Sequence, residues 1–252
     1  MNRYRADLHV HTVLSPCGDL EMSPANIVNI AARKGIDILG VTDHNSTKHV
    51  ALIKKLAEKE GIYVIGGAEV TTREEIHCLA LFENNDSLVK FQQFLDAHLA
   101  DVKNKPDIFG YQVVVDEEDM ILEEEETLLI SATTKSLEEV QQFVHQLDGL
   151  FIPAHIDRPR YSMFSQLGFI PPDLKADALE ISKQVSEMEM RNKHPELRDY
   201  ALIGSSDAHY PEQIGSRTSI FEMEHRSFAE IRKALAGEEG RKVWMKEAGS
   251  KK

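Results

Sequence analysis

The sequence predicts an α/β protein assembled largely from parallel βα units. Three observations point there. Short apolar segments of strand length recur along the chain, and stretches with helical periodicity and readable caps separate them. Several of the apolar segments are also near-continuous rather than alternating, as strands covered on both faces are. A chain of 252 residues with 42% hydrophobic content can bury a substantial core, and we expect one domain over residues 1–252.

The predicted strands are Ala6–Val10, Ile36–Val41, Tyr63–Ala68, Ile76–Phe82, Leu150–Pro153, Ala178–Ile181, Ala201–Gly204 and Thr218–Phe221. Between the first two, Ser23-Pro24 starts a helix, with Ser as N-cap and Pro at the first helical position, and Gly35 ends it. Asp86 to Asp101 reads as a longer amphipathic helix. Ser136 with Glu139 forms a capping box before a helix that Gly149 follows, and Ser227 with Glu230 repeats that signal before Gly237. Residues Phe109 to Ile130 break the alternation. Two β-prone arms flank Asp116-Glu117-Glu118-Asp119, which predicts a small hairpin insertion with a solvated acidic face. The tail after Glu238 is polar and expected to fray.

No apolar run reaches membrane-spanning length, and the polar, basic start at Met1–Ala6 does not resemble a signal peptide. Two cysteines, Cys17 and Cys78, lack the spacing of a disulfide framework, so a reducing cytoplasm is the expected location and both are expected to be unpaired thiols. The formal net charge of −13 argues against a broad duplex-DNA footprint. It does not exclude a small anionic substrate, because bound cations reverse the local sign of charge.

Six of the eleven histidines fall in five short segments: DLHVH (Asp7–His11), TDHN (Thr42–Asn45), GAEVTTREEIH (Gly67–His77), PAHIDRP (Pro153–Pro159) and SSDAH (Ser205–His209). Histidine and carboxylate are the ligands that borderline divalent cations take up. In parallel α/β folds functional side chains collect at the carboxyl ends of strands. His9, His11, Asp43, His44, Glu69, His155, Asp207 and His209 all sit at such ends. The i, i+2 spacing of His9 and His11 puts both on one face of an extended segment. His77, near the start of its strand, does not follow the rule. His49, His98, His145, His194 and His225 lack a partner motif and read as structural.

The ordered set HxH, TDHN, Glu, His, His, DxH resembles the PHP family, named for polymerase and histidinol phosphatase, over Asp7 to about Gly215. The resemblance implies a distorted (β/α)7 TIM-like barrel with two or three divalent metal ions that cleaves phosphoester bonds. It also implies the ligand assignment. His9, His11, Glu69 and Asp207 would hold one ion, and Glu69 would bridge to a second completed by His77 and His155. His44 and His209 would hold a third, with Asp19 favoured as its further ligand and Cys17 the alternative. Mixed N/O ligands admit Mn, Fe or Zn.

The residues themselves support the same chemistry. Paired metals can share a hydroxide that attacks phosphorus while they stabilise the charge that develops, so no Ser or Cys nucleophile is needed. Either Asp207 or His209 would manage the leaving-group proton, with Glu69 at the bridge. Asp7 and Asp43 are placed to orient ligand imidazoles. Arg158, and more weakly Arg160 and Lys183, are candidates to bind a phosphate. The expected substrate is a small phosphomonoester or nucleotide. An exonuclease or phosphodiesterase working on short nucleic-acid ends is the alternative. An amidohydrolase-type enzyme and an inactive metal-binding regulatory module are more distant ones.

Overall fold

A computed structural model describes residues 1–245 of the chain. β1 (Asn2–Val10) leads through a long loop into α1 (Pro24–Arg33), then come β2 (Ile38–Val41), α2 (Val50–Glu58) and β3 (Tyr63–Thr71). A short turn returns β3 directly into β4 (His77–Phe82), which is followed by α3 (Asn85–His98) and the single turn α4 (Pro106–Phe109). β5 (Val113–Val115) and β6 (Ile121–Glu124) make the hairpin insertion, paired antiparallel around an exposed acidic turn. α5 (Leu137–Gln146), β7 (Leu150–Pro153), α6 (Met163–Gln166), β8 (Leu179–Glu180), α7 (Glu187–Lys193), β9 (Leu202–Ile203), β10 (Ser219–Met223), α8 (Phe228–Ala236) and β11 (Lys242–Met245) complete the order.

The caps explain most helix boundaries. The Ser23 hydroxyl accepts from the Asn26 N–H with Pro24 behind it, and Gly35 takes φ 65° past the end. Ser136 and Glu139 form a reciprocal capping box on α5. The expected box on α8 is only half made. Ser227 accepts from the Glu230 N–H, but the Glu230 carboxylate turns to the Arg241 guanidinium and the Glu224 N–H. α3 stops three residues short of the predicted Asp101, because Leu99 is extended.

Seven strands form one sheet in the order β11-β10-β1-β2-β3-β4-β7, and β8 pairs with β9 in a second. β1, β2 and β3 run parallel, whereas β4 is antiparallel to both β3 and β7, and β10 is antiparallel to β1. The sheet curls towards closure through β8 and β9. Ile156 N–H donates to the Glu180 carbonyl, Leu179 N–H to that of Ala201, and His11 N–H to that of Ala208. The fold is therefore a distorted TIM-like barrel. The uniformly parallel βα alternation is broken at β4, since the five-residue turn between Thr71 and His77 leaves no room for a crossover helix. The tail also departs from expectation: β11 adds an edge strand on β10, with Phe221 opposite Val243. The rest of the polar tail, 246–252, lies outside the described residues.

Strand alternation splits the core in two. Cys78, Ala80 and Phe82 of β4 face the helix layer with Ile27, Ile53, Phe91 and Val140. Leu79 and Leu81 face the barrel interior with Leu8, Ile38, Ile65, Leu150 and Ile152, and α8 packs Phe228, Ile231 and Leu235 into the same cluster. The register between β1 and β2 slips by one residue between Asp7 and Val10, a bulge in the segment that carries His9. Gly40 lies against this bulge, where a Cβ would come 2.3 Å from the Leu8 carbonyl oxygen.

Candidate metal centre

The ends of β1, β2, β3, β7 and β9 bring the predicted ligands to one mouth of the barrel. The antiparallel direction of β4 explains His77. Because Thr71 pairs with His77, the start of β4 lies beside the end of β3. His77 therefore meets Glu69 from the neighbouring strand, and the exception seen in the sequence is a consequence of strand direction.

Glu69 is the hub. Its Oε1 lies 3.3 Å from His9 Nε2, 2.9 Å from His77 Nδ1 and 3.1 Å from His155 Nε2. Its Oε2 lies 3.3 Å from His11 Nε2 and 3.0 Å from His44 Nδ1. Asp207 Oδ1 approaches the Nε2 atoms of His9 and His11 at 3.3 and 3.2 Å, and these two nitrogens are 3.1 Å apart. His209 stacks on His11 with ring centroids 4.0 Å apart. Three sets of ligand atoms converge closely enough for a cation: His9, His11, Glu69 and Asp207; His44, Glu69 and His77; and His11, His44 and His209.

The first set is the one expected. In the second, His44 joins Glu69 and His77, while His155 approaches Glu69 alone. In the third, His11 takes the place expected for Asp19. The Asp19 carboxylate instead accepts from the Glu21 N–H in a local turn, and its backbone N–H donates to the His209 carbonyl. Cys17 is exposed, and its N–H bonds the Phe109 carbonyl.

Several buried ligand atoms are left without a partner, although His77 Nδ1 and His155 Nε2 face Glu69 Oε1. Glu69 Oε2, Asp207 Oδ1, His44 Nδ1, His77 Nε2 and His155 Nδ1 are all buried without a hydrogen bond of good geometry. Buried polar atoms left in that state are costly unless a cation satisfies them, so the donor set fits divalent metal.

Electrostatics agree. Burial alone would raise the Glu69 carboxyl, but the imidazoles of His77, His9 and His44 hold it well below the usual range. Asp207 is likewise held well below, since His9 and His11 outweigh its desolvation. Burial pushes His44 well down and also lowers His77; for His209, burial and then His11 lower the value to about 4. These three rings are neutral at pH 7, as ligation requires. His9 is opposite: burial disfavours its charge, yet Glu69, Asp207 and Glu180 raise it well above its ordinary value. Without cations, the excess negative charge draws protons onto the His-x-His pair.

Hydrogen bonds behind the ligands set their tautomers. His9 Nδ1 donates to Glu180 at 3.2 Å, which leaves Nε2 free. Glu180 Oε1 also accepts the His155 N–H at 3.1 Å, so one buried carboxylate ties two ligand segments together. His11 Nδ1 donates to Ser15 Oγ, and the Ser15 hydroxyl in turn donates to Asp43. Asp43 thus orients a ring, through Ser15 rather than directly. His49 Nε2 accepts the Val115 N–H, so its Nδ1 donates to Thr12, which donates to Asp43. That histidine fastens the hairpin beside the site. Asp7 touches no ring; it accepts from the N–H groups of Ser206 and Gly215 and so anchors the loop bearing Asp207 and His209. Burial raises its carboxyl to about 6.

Sequence reasoning missed Glu180 and Ser15. The only signal for Glu180 was a lone charge inside the apolar run Ala178–Ile181. The backbone carries strain here as well: Asn45, His155 and Asp207 adopt φ of 45°, 31° and 49°, conformations that cost about 1–3 kcal/mol each and cluster at functional sites. Arg158 Nη1 lies 2.5 Å from Asp207 Oδ2 with its side chain 37% exposed, whereas Arg160 and Lys183 are exposed on the surface. Among the described residues no helix is long and apolar enough to cross a membrane.

Comparison with known proteins identifies the family. The PHP domain profile matches residues 7–188, and a PHP-associated profile matches 196–239. An uncharacterized protein of Methanocaldococcus jannaschii, MJ1587, is 37% identical over 90 residues, 32% of this chain and 52% of that protein. Uncharacterized protein YqxK of Bacillus subtilis is 24% identical over 96% of this chain and 64% of its own length. The crystal structure of the lesion-specific endonuclease PfuEndoQ from Pyrococcus furiosus superposes with a TM-score of 0.74 at 21% identity, covering 96% of this chain and 58% of that one. The chain thus spans roughly half to two thirds of the length of these relatives. With well over half of its residues matched by the PHP domain profile, the chain belongs to the PHP domain family.

Proposed function

We propose that the chain hydrolyses a small phosphomonoester or nucleotide with two or three divalent ions, Mn, Fe or Zn, held by His9, His11, His44, Glu69, His77, His155, Asp207 and His209. The observation that carries this is the convergence of five buried imidazoles on the Glu69 carboxylate, within 2.9–3.3 Å of its oxygens. Cations bound there supply Lewis acidity and neutralise charge on a phosphoryl group. Glu69 holds the ligand rings in a common frame. Asp207 and His209 border the accessible side and are the groups proposed to manage the leaving-group proton.

Arg158 is the cation best placed to orient a phosphate, since one of its guanidinium nitrogens already meets the Asp207 carboxylate at the rim. Arg160 and Lys183 would contribute only longer-range attraction, and Asp19 would join the third ion only after leaving its turn with Glu21.

Phosphodiester cleavage at nucleic-acid ends is a second reading; the likeness to the endonuclease PfuEndoQ supports its phosphodiester chemistry rather than its preference for ends. The acidic charge of the chain weighs against a long duplex footprint.

Phosphate release from phosphomonoesters and nucleotides, together with strand shortening of short oligonucleotides, tests both readings in Mn-reconstituted protein, with Asp207→Ala as control. Release that Asp207→Ala abolishes supports the proposal, and the best substrate separates the two readings. Neither phosphate release nor oligonucleotide cleavage despite bound metal would favour a regulatory metal-binding role. Glu69→Ala and His155→Ala are each expected to lose metal and activity while remaining folded; full activity in both would overturn the site assignment.

A further inference from the structure

Tyr161 is a bulky residue in a place that favours none. Its φ is 54°, the left-handed region that side chains other than Gly, Asn and Asp seldom occupy. The surroundings fix it there from both sides. Its carbonyl accepts the His77 N–H at 3.0 Å, and the next residue, Ser162, donates its hydroxyl to the Arg158 carbonyl and caps α6. The ring lies flat on His77, with centroids 4.8 Å apart and planes within 13°. His77 itself is buried against Glu69, but Tyr161 remains 38% exposed. One face of the phenol ring thus stacks on a candidate ligand of the metal centre, in a residue that stays 38% exposed and follows Arg158 by three positions in the sequence. Strained backbone at a functional site is the usual sign of a side chain held for use.

We propose that Tyr161 is a stacking platform that selects substrates carrying a nucleobase. The inference rests on the phosphoester-hydrolase reading and deepens it. Arg158 and the metal centre take the phosphate, and the open face of Tyr161 takes the flat ring attached to it. Base–aromatic stacking tolerates any base, because every base has a π-face, so the selectivity is for a nucleotide over a sugar phosphate, not for one base over another.

The test is calorimetric titration of Mn-loaded protein with non-hydrolysable methylenephosphonate analogues of adenosine 5′-monophosphate and of ribose 5-phosphate. Wild type is expected to bind the nucleotide analogue about 5- to 150-fold more tightly, the range that stacking one base supplies. Tyr161→Phe should keep that ratio, and Tyr161→Leu should bring it towards one while ribose analogue affinity holds. No preference in wild type, an unchanged ratio in Tyr161→Leu, or an equal loss for both ligands would overturn the proposal; the last would mean that Tyr161 only supports His77. Because the readout is binding, failed turnover in the phosphate-release assay leaves it intact.

Discussion

Replacing Glu180 should cripple metal binding although Glu180 belongs to none of the three ligand sets. Its carboxylate is buried, accepts from His9 Nδ1 at 3.2 and 3.3 Å, and accepts the His155 N–H at 3.1 Å. Glu180→Ala orphans two buried donors at once, each at a cost of about 1–3 kcal/mol, so a loss of roughly 2–6 kcal/mol in unfolding free energy is expected. The imidazole of His9 also loses the partner that fixes its tautomer. Groups in that position typically control about 10–100-fold in metal affinity, which corresponds to roughly 1.4–2.7 kcal/mol. Glu180→Gln should fall between, because an amide oxygen at the Oε1 position can still accept from both donors, while the negative charge and the second oxygen near His9 Nδ1 are lost. Competition with a chromophoric chelator measures the affinity, and urea denaturation of the metal-free protein measures the stability. Metal affinity within twofold of wild type in Glu180→Ala would refute the reasoning, because the ring of His9 would then need no orienting carboxylate.

Two further perturbations probe how the scaffold holds the site. Gly40→Ala should destabilise the protein by about 1–3 kcal/mol or more, read as a lower urea midpoint, because its Cβ would meet Leu8 backbone atoms 2.3–2.6 Å away at the bulge of β1; an unchanged midpoint would show that the bulge can relax. Glu139 in the α5 capping box should titrate near 2 by carboxyl NMR rather than at 4.5, because the Ser136 N–H and then Lys135 stabilise its charged form. A depressed carboxyl contributes stability that is present above about 4.5 and lost as pH falls towards 2, so exchange protection at the start of α5 should weaken across that window.

Most of the strands were legible because apolar runs between turn signals report burial, and burial on both faces is what a barrel strand needs. Direction was not legible. The run Ile76–Phe82 reads identically whether it lies parallel or antiparallel, and only the shortness of the link from β3 could have indicated a hairpin. β11 escaped notice for a related reason: Lys-Val-Trp-Met is brief, sits among charged residues, and becomes a strand only because the edge of β10 is there to pair with it. The Ser227–Glu230 box failed in half because Arg241, eleven residues further on, competes for the carboxylate and wins. Local signals cannot price a tertiary partner.

The site shows the same division more sharply. Histidines and acids are rare enough in apolar contexts that His9, His11, His44, Glu69, His155, Asp207 and His209 stood out as candidate ligands from type and spacing. Asp19 was the weak member because a Gly-Asp pair is also ordinary turn chemistry, and the local turn to the Glu21 N–H is what its carboxylate makes. Glu180 and Ser15 stayed hidden for the opposite reason. They act on a ligand's far nitrogen, and the contact joins β8 to β1 across 171 residues in one case and lies within a single loop in the other. No motif encodes such a contact, yet it decides which nitrogen of each imidazole carries the proton. A ligand set read from sequence therefore names the atoms that can meet a cation, and the buried carboxylates and hydroxyls behind them determine whether those atoms present a lone pair when they do.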